Sequence, residues 1–233
     1  MGETFLHFDG ETPLHGELYR PVKGGDGRGV LVVHEADGIG GNVRRRCAQL
    51  AERGYLALAA DLHGEEAPLE GEAMRAAVEG FRADPERFRR RIRAGLDALA
   101  GIADAERLVA IGYCFGGAAV LELARSGAPV RAVASFHGLL TTRAPAQAGT
   151  VRARVAAYTG ALDPLVPPED IATFQAEMMA AEADWQLTVY GQAWHSFTNI
   201  GVKDSPDPRM RYDPGADAAS WAAALAFLEA ALA

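Results

Sequence analysis

Leu108-Val-Ala-Ile-Gly-Tyr-Cys-Phe-Gly-Gly-Ala-Ala-Val120 runs from an apolar strand through a glycine-bracketed turn into a helix of small residues. Its centre, Gly112-Tyr113-Cys114-Phe115-Gly116, fits the pattern G-x-nucleophile-x-G, in which the middle residue stands at a sharp strand-to-helix turn. Gly112 and Gly116 bring no side chain to crowd the turn, so the Cys114 thiol is expected to project into the open. The Phe115 N–H begins the following helix and is expected to face negative charge developing at the thiol's target. Cysteine in place of the more usual serine points to thiolate chemistry.

Outward from this turn, strands alternate with helical patterns. Residues 30–33 form a continuous apolar run rich in β-branched valine, the mark of a strand buried on both faces, and lead into His34-Glu35-Ala36-Asp37-Gly38-Ile39-Gly40-Gly41. Asn42 is the expected N-cap of a helix reaching about Arg53, and residues 55–60 are the next strand. Helices are expected at about 72–81 and 85–100, the second capped by Asp84, and strands at 130–136, 152–159 and 185–190. A helix at about 169–183 and an amphipathic helix at 217–232 complete the chain, while segments 4–8 and 15–19 read as an antiparallel hairpin at a sheet edge. This alternation predicts an α/β fold, with a mostly parallel central sheet and helices on both faces. No repeat, low-complexity tract or long linker divides residues 1–233, so a single domain is expected.

Composition narrows the functional classes. Hydrophobic residues at 49% and charged residues at 23% are those of an ordinary soluble globular protein with a sizeable core. A formal net charge of −8 argues against nucleic acid or an anionic membrane as partner, and Arg44–Arg46 and Arg89–Arg91 read as solvated helix faces. Cys47 and Cys114 form no CxxC pattern, which disfavours structural zinc or a disulfide framework. The N-terminus shows no signal-peptide pattern and no apolar run is long enough to span a membrane, so a cytoplasmic enzyme with reduced thiols is expected. A monomer and a homodimer both remain open.

Cys114, Asp163 and His195 all stand in turns that follow predicted strands, at the edge where open parallel sheets bind ligands. Their chain order, nucleophile then acid then histidine, is that of α/β-hydrolases. His195 is the expected base and Asp163 the group that orients it. With Gly112-Tyr-Cys-Phe-Gly-Gly117, the chain carries His34-Glu35 after an early strand, Gly160-Ala-Leu-Asp163-Pro-Leu-Val-Pro167 and Trp194-His195-Ser196-Phe197. In these motifs the chain resembles the dienelactone hydrolase family along essentially its whole length.

The resemblance implies an α/β-hydrolase fold, a Cys114–His195–Asp163 triad and a Glu35 that reaches the thiol and assists its ionisation. It also implies an oxyanion hole made by the Ala36 and Phe115 N–H groups, and ester or lactone hydrolysis without a cofactor or metal. A general carboxylesterase or thioesterase, and a non-hydrolytic binder of small ligands, are the competing readings. Asn199 stands where the founding enzymes carry a substrate-binding arginine, while Arg75 and Arg82 are loose candidates for a second. A substrate with less charge near that wall is therefore expected. Tyr113, Trp194, Phe197 and Asn199 are candidate pocket residues. His34 and His137 end strands, with pocket-lining and hydrogen-bonding roles both open. Asp61 and His63 lack further ligands at metal-binding spacing, and Gly38-Ile-Gly-Gly41 lacks the full dinucleotide-loop spacing.

Overall fold

The computed structural model describes residues 2–64 and 68–233. Residues 65–67, part of the acidic stretch that follows the strand at 55–60, lie outside the described residues. The first two strands, β1 (Glu3–Asp9) and β2 (Thr12–Tyr19), pair antiparallel through a tight turn in which Asp9 faces Thr12. The strands β3 (Gly29–Val33), β4 (Leu56–Ala60), β5 (Leu108–Tyr113), β6 (Ala132–Phe136), β7 (Arg154–Gly160) and β8 (Trp185–Tyr190) run parallel. Together they form one eight-stranded sheet in the order β1-β2-β4-β3-β5-β6-β7-β8, with β2 antiparallel to β4. Residues of β3, β4, β5 and β6 are buried throughout, as their β-branched and alanine-rich runs require of strands covered on both sides.

Strand alternation divides the core. Leu31, Val33, Leu58 and Ala110 pack with α3 (Pro85–Ala100), α4 (Phe115–Arg125) and α5 (Pro168–Ala180). Val30, Val32, Ala57 and Ile111 pack on the other face with α1 (Gly41–Glu52) and α6 (Pro214–Leu232). Cys47 is buried in this second layer and serves as packing. The helix α2 (Gly71–Ala83) packs on α3 with Phe81 as its buried anchor. Among the described residues, no helix is long and apolar enough to cross a membrane.

Two helix starts differ from expectation. The residue before α1 is Gly40 rather than Asn42, and the Asn42 side chain inside the first turn is hydrogen-bonded to Glu35 and Thr198 instead of a helix N–H. The last helix begins three residues before Asp217, because Asp213 accepts from the Gly215 and Ala216 N–H groups and Pro214 is preset for the first turn. Asp84 caps α3 as its position suggests, accepting from Arg87 N–H at 3.0 Å.

The order β4-β3-β5 puts a topological switch between β3 and β5, and the crevice outside their C-terminal ends receives the loops 34–41 and 113–117. There, α4 approaches β3 so closely that a Cβ on Gly116 would collide with the Val33 carbonyl, and one on Gly112 with the Gly116 carbonyl. Gly116→Ala is therefore expected to destabilise the protein by more than about 3 kcal/mol, seen as a lower urea midpoint. Wild-type stability in that variant would show that the turn can relax.

Candidate active site

Cys114 joins β5 to α4 with φ 54° and ψ −113°, a left-handed strained conformation for a residue other than glycine. Its peptide N–H donates to the Phe136 carbonyl at 2.9 Å, which ties the turn to β6. The partly exposed side chain is directed to the loop after β8, where His195 Nε2 lies 3.0 Å from Sγ. On the other side of the ring, His195 Nδ1–H donates to Asp163 Oδ2 at 2.7 Å. Asp163 is held in turn, its Oδ1 accepting from Leu165 N–H at 2.8 Å in the turn after β7. Residues from three loops thus form one hydrogen-bonded line. Burial alone lowers the pKa of His195, but negative charge on Cys114 and the bond to Asp163 outweigh it and raise the value to about 10. A His195 that keeps its proton in this line can stabilise negative charge on the sulfur.

The loop after β3 lies against the N-terminus of α4. Gly116 N–H donates to the His34 carbonyl at 2.9 Å, and His63 holds the Ala36 carbonyl at 2.9 Å. The N–H groups of Ala36 and Phe115 have no protein acceptor among the described residues, and both residues line the cavity above Cys114. Two such donors beside a nucleophile can stabilise a developing oxyanion.

Glu35 is buried behind this loop. Its Oε1 accepts from Asn42 Nδ2 at 2.8 Å and from Asn199 Nδ2 at 3.2 Å. The carboxylate is thus bonded to two amides rather than to the thiol, and Asn199 faces inward instead of toward a substrate. Burial, offset in part by the Asn42 hydrogen bond, pushes the Glu35 pKa up to about 7.

A cavity of about 530 Å³ opens over Cys114 and His195, between α2, α3 and the loops after β6 and β8. Arg75 and Arg82 both line it, as do Arg143 and Arg209, which nothing in the sequence singles out because their loops come to the cavity only in the fold. Arg209 is paired with Asp207 at 2.6 Å. The remaining pocket candidates lie outside this wall. Alternation along β5 turns Tyr113 to the α1 and α6 side, where it stacks on Phe136, and Phe197 is buried in the same layer. Trp194 lies beneath the Arg211 guanidinium. His34 is buried below the loop, its Nδ1–H donating to the Glu35 carbonyl and its Nε2 accepting from Leu62 N–H, so its role is hydrogen bonding. The Asp61 carboxylate accepts from the N–H groups of His15, His63 and Gly64 and serves the turn after β4.

Burial stabilises the neutral Glu35 carboxyl in the folded protein. The folded state favours the protonated carboxyl, so ionisation costs stability as pH rises from 4.5 through about 7. Glu35→Gln keeps an acceptor for both amides without the charge. It is expected to match wild type in urea unfolding near pH 4 and to exceed it by up to about 3 kcal/mol near pH 8. An equal difference at both pH values would contradict the assignment.

Comparison with known proteins agrees with this architecture. The family model described as "Dienelactone hydrolase family" matches residues 14–232. A "Putative carboxymethylenebutenolidase" of Escherichia coli O157:H7 is 31% identical over 183 residues, covering 72% of this chain and 66% of the relative. The solved structure named m3DLH superposes with a TM-score of 0.93 at 39% identity, covering 100% of this chain and 99% of its own. A dienelactone hydrolase-like promiscuous phosphotriesterase, P91, from metagenomic libraries gives 0.93 at 36% identity with the same coverage. With the eight-stranded α/β-hydrolase sheet and a match that runs almost from end to end, this chain belongs to the dienelactone hydrolase family.

Proposed function

We propose that the protein hydrolyses small esters or lactones through a Cys114–His195–Asp163 triad and a thioester acyl-enzyme. The observation that carries this reading is the line Sγ–Nε2 3.0 Å and Nδ1–Oδ2 2.7 Å opening onto a cavity lined by Ala36 and Phe115. The Cys114 thiolate attacks the carbonyl carbon, and the carbonyl π pair moves onto oxygen, facing the Ala36 and Phe115 N–H groups. Collapse breaks the bond to the leaving oxygen, which takes the proton from His195 Nε2 and leaves the acyl group on sulfur. In a lactone, the ring opens at this step and the alcohol remains tethered. His195 then takes a proton from water, the resulting hydroxide adds to the thioester, and collapse expels the thiolate and releases the acid. Asp163 holds the ring in the tautomer that both proton transfers need. No metal or cofactor enters this scheme. A thiol nucleophile suits a reducing compartment, which supports a cytoplasmic setting.

The cavity refines the substrate. Among the described residues Arg75, Arg82 and Arg143 line it without a carboxylate partner and Arg209 is paired with Asp207, whereas of its two carboxylates Glu122 is committed to Arg89 and Arg125. This balance favours substrates with a negative group away from the scissile bond, held by arginines other than the one that Asn199 replaces.

Cys114→Ala is expected to abolish hydrolysis of p-nitrophenyl acetate while leaving the circular dichroism spectrum unchanged. Full activity in that variant would sink the triad. Profiling lactones against p-nitrophenyl esters and acyl thioesters separates a lactonase from a general esterase or thioesterase. Lack of turnover across the panel, together with saturable ligand binding, would favour a binding protein. Replacing Arg82 and Arg209 by Ala is expected to raise KM for a carboxylate-bearing ester on the order of 10-fold. For a neutral ester of the same size, KM should stay nearly constant. Equal effects on both esters would dismiss the anionic group.

A further inference from the structure

We infer that His137 is a positioning residue: its imidazole, held between the Cys114 backbone N–H and the Thr198 hydroxyl, sets the distance between the thiol and His195. This rests on the reading of Cys114 and His195 as nucleophile and base. The Cys114 N–H points at His137 Nδ1 as well as at Phe136 O, with a nitrogen–nitrogen distance of 3.1 Å. An N–H facing Nδ1 needs a lone pair there, so the ring proton resides on Nε2, which donates to Thr198 Oγ1 at 2.8 Å. Only the neutral Nε2–H tautomer makes both bonds.

The ring therefore spans two loops that must stay in register. One carries Cys114; the other carries His195 and, three residues on, Thr198. Cys114, His137 and Ser196 each have a positive φ, 54°, 41° and 58°, so strained turns meet at this ring. Thr198 is itself anchored to α1, its carbonyl accepting from Arg45 at 2.8 Å and its hydroxyl from Asn42 at 3.4 Å. His137 N–H donates to the Tyr158 carbonyl at 2.8 Å, which fixes the backbone under the ring. The strut thus has a firm base on β6 and β7 and a firm far end on α1.

The surroundings keep the ring neutral. His137 is fully buried and meets His195 edge-on at 5.4 Å between ring centres, with Tyr113 and Phe197 on its other sides. Burial, and after it the positive charges of His195 and Arg46, hold its pKa well below the usual histidine range. A neutral His137 beside His195 leaves the positive charge with the residue that faces the thiol.

The variants that test this are His137→Leu, His137→Asn and Thr198→Val in the full chain. Leucine removes both hydrogen bonds. Asparagine tolerates a left-handed backbone, and its Oδ1 replaces Nδ1 as acceptor for Cys114 N–H. Valine removes only the Thr198 acceptor. The readouts are the thermal midpoint, the kcat and KM for p-nitrophenyl acetate, and the rate of Cys114 alkylation by iodoacetamide from about pH 5 to 9. Cys47, fully buried, stays silent to the probe.

In His137→Leu, kcat should fall on the order of 10- to 100-fold with KM nearly unchanged, and the alkylation midpoint should move up by about one pH unit. His137→Asn should recover to within about 5-fold of wild type, with Thr198→Val lying between the two. A wild-type alkylation midpoint in folded His137→Leu overturns the inference, and so does an Asn variant no better than Leu. If His137→Leu does not fold, a wild-type midpoint in Thr198→Val overturns it. Alkylation reads the thiol without hydrolysis, so hydrolysis surviving in Cys114→Ala would reject the catalytic reading while the midpoints still report the strut.

Discussion

Beneath Cys114, backbone meets backbone with no room for a side chain between. A Cβ on Gly112 or Gly116 would strike a carbonyl of the same turn or of β3, and one on Gly117 would come within 2.8 Å of the Gly138 Cα. This contact draws the first turn of α4 under the loops that leave β3 and β6. The Gly116 N–H to His34 carbonyl bond and the Cys114 N–H to Phe136 carbonyl bond then lock the three loops together. The rest of the site depends on that packing. It sets Ala36 beside Phe115, turns Cys114 into its strained conformation and aims the thiol at the loop carrying His195. The strain at Cys114 is tolerated because hydrogen bonds on both sides of it fix the chain.

Around this turn, three buried histidines take different protonation states, each dictated by its partners. His34 places its proton on Nδ1, toward the Glu35 carbonyl, because Nε2 must accept from Leu62 N–H. Burial, with His63 nearby, lowers its pKa to about 4. His137 takes the opposite tautomer because a backbone N–H faces its Nδ1. His195 alone is pushed upward, by the thiol and by Asp163. Positive charge is thereby confined to the ring that faces the Cys114 thiol, while Glu35 nearby is eased toward its neutral form by burial.

Charge is also distributed unevenly on a larger scale. A chain of formal net charge −8 gathers four arginines around one cavity. The wall behind them is stiffened by a buried network in which Arg89 and Arg125 hold Glu122, and Arg125 also binds Glu177 at 2.8 Å and the Leu140 carbonyl at 2.6 Å. These bonds join α3, α4, α5 and the loop after β6. Every charge in the network is paired, and loss of any member would leave another buried and uncompensated. The network therefore holds the cavity wall to one arrangement.

The sheet, its helices and the Cys114–His195–Asp163 line were legible in the amino-acid order, because they rest on local signals. The apolar runs at 30–33 and 108–111, the glycines flanking Cys114 and the Asp84-Pro85 cap each declare their structure within a few residues. Strand ends collect at one edge of a parallel sheet, so residues that follow strands meet there whatever their separation in the chain. What only the tertiary structure decided concerns groups whose role depends on what lies opposite them. Asn42 has the character of a helix cap, yet its amide is spent on Glu35, and Asn199 turns inward to the same carboxylate. Tyr113 and Phe197 fall on the core side through strand alternation and loop path, while Arg143 and Arg209 reach the cavity from loops with no periodicity to read. The tautomer of His137 likewise depends on a peptide N–H from the turn after β5 and a hydroxyl 61 residues away. Local backbone preference acts over a few neighbouring residues and is written in order along the chain, whereas hydrogen-bond partners and cavity walls are matched across space and exist only once the sheet has formed.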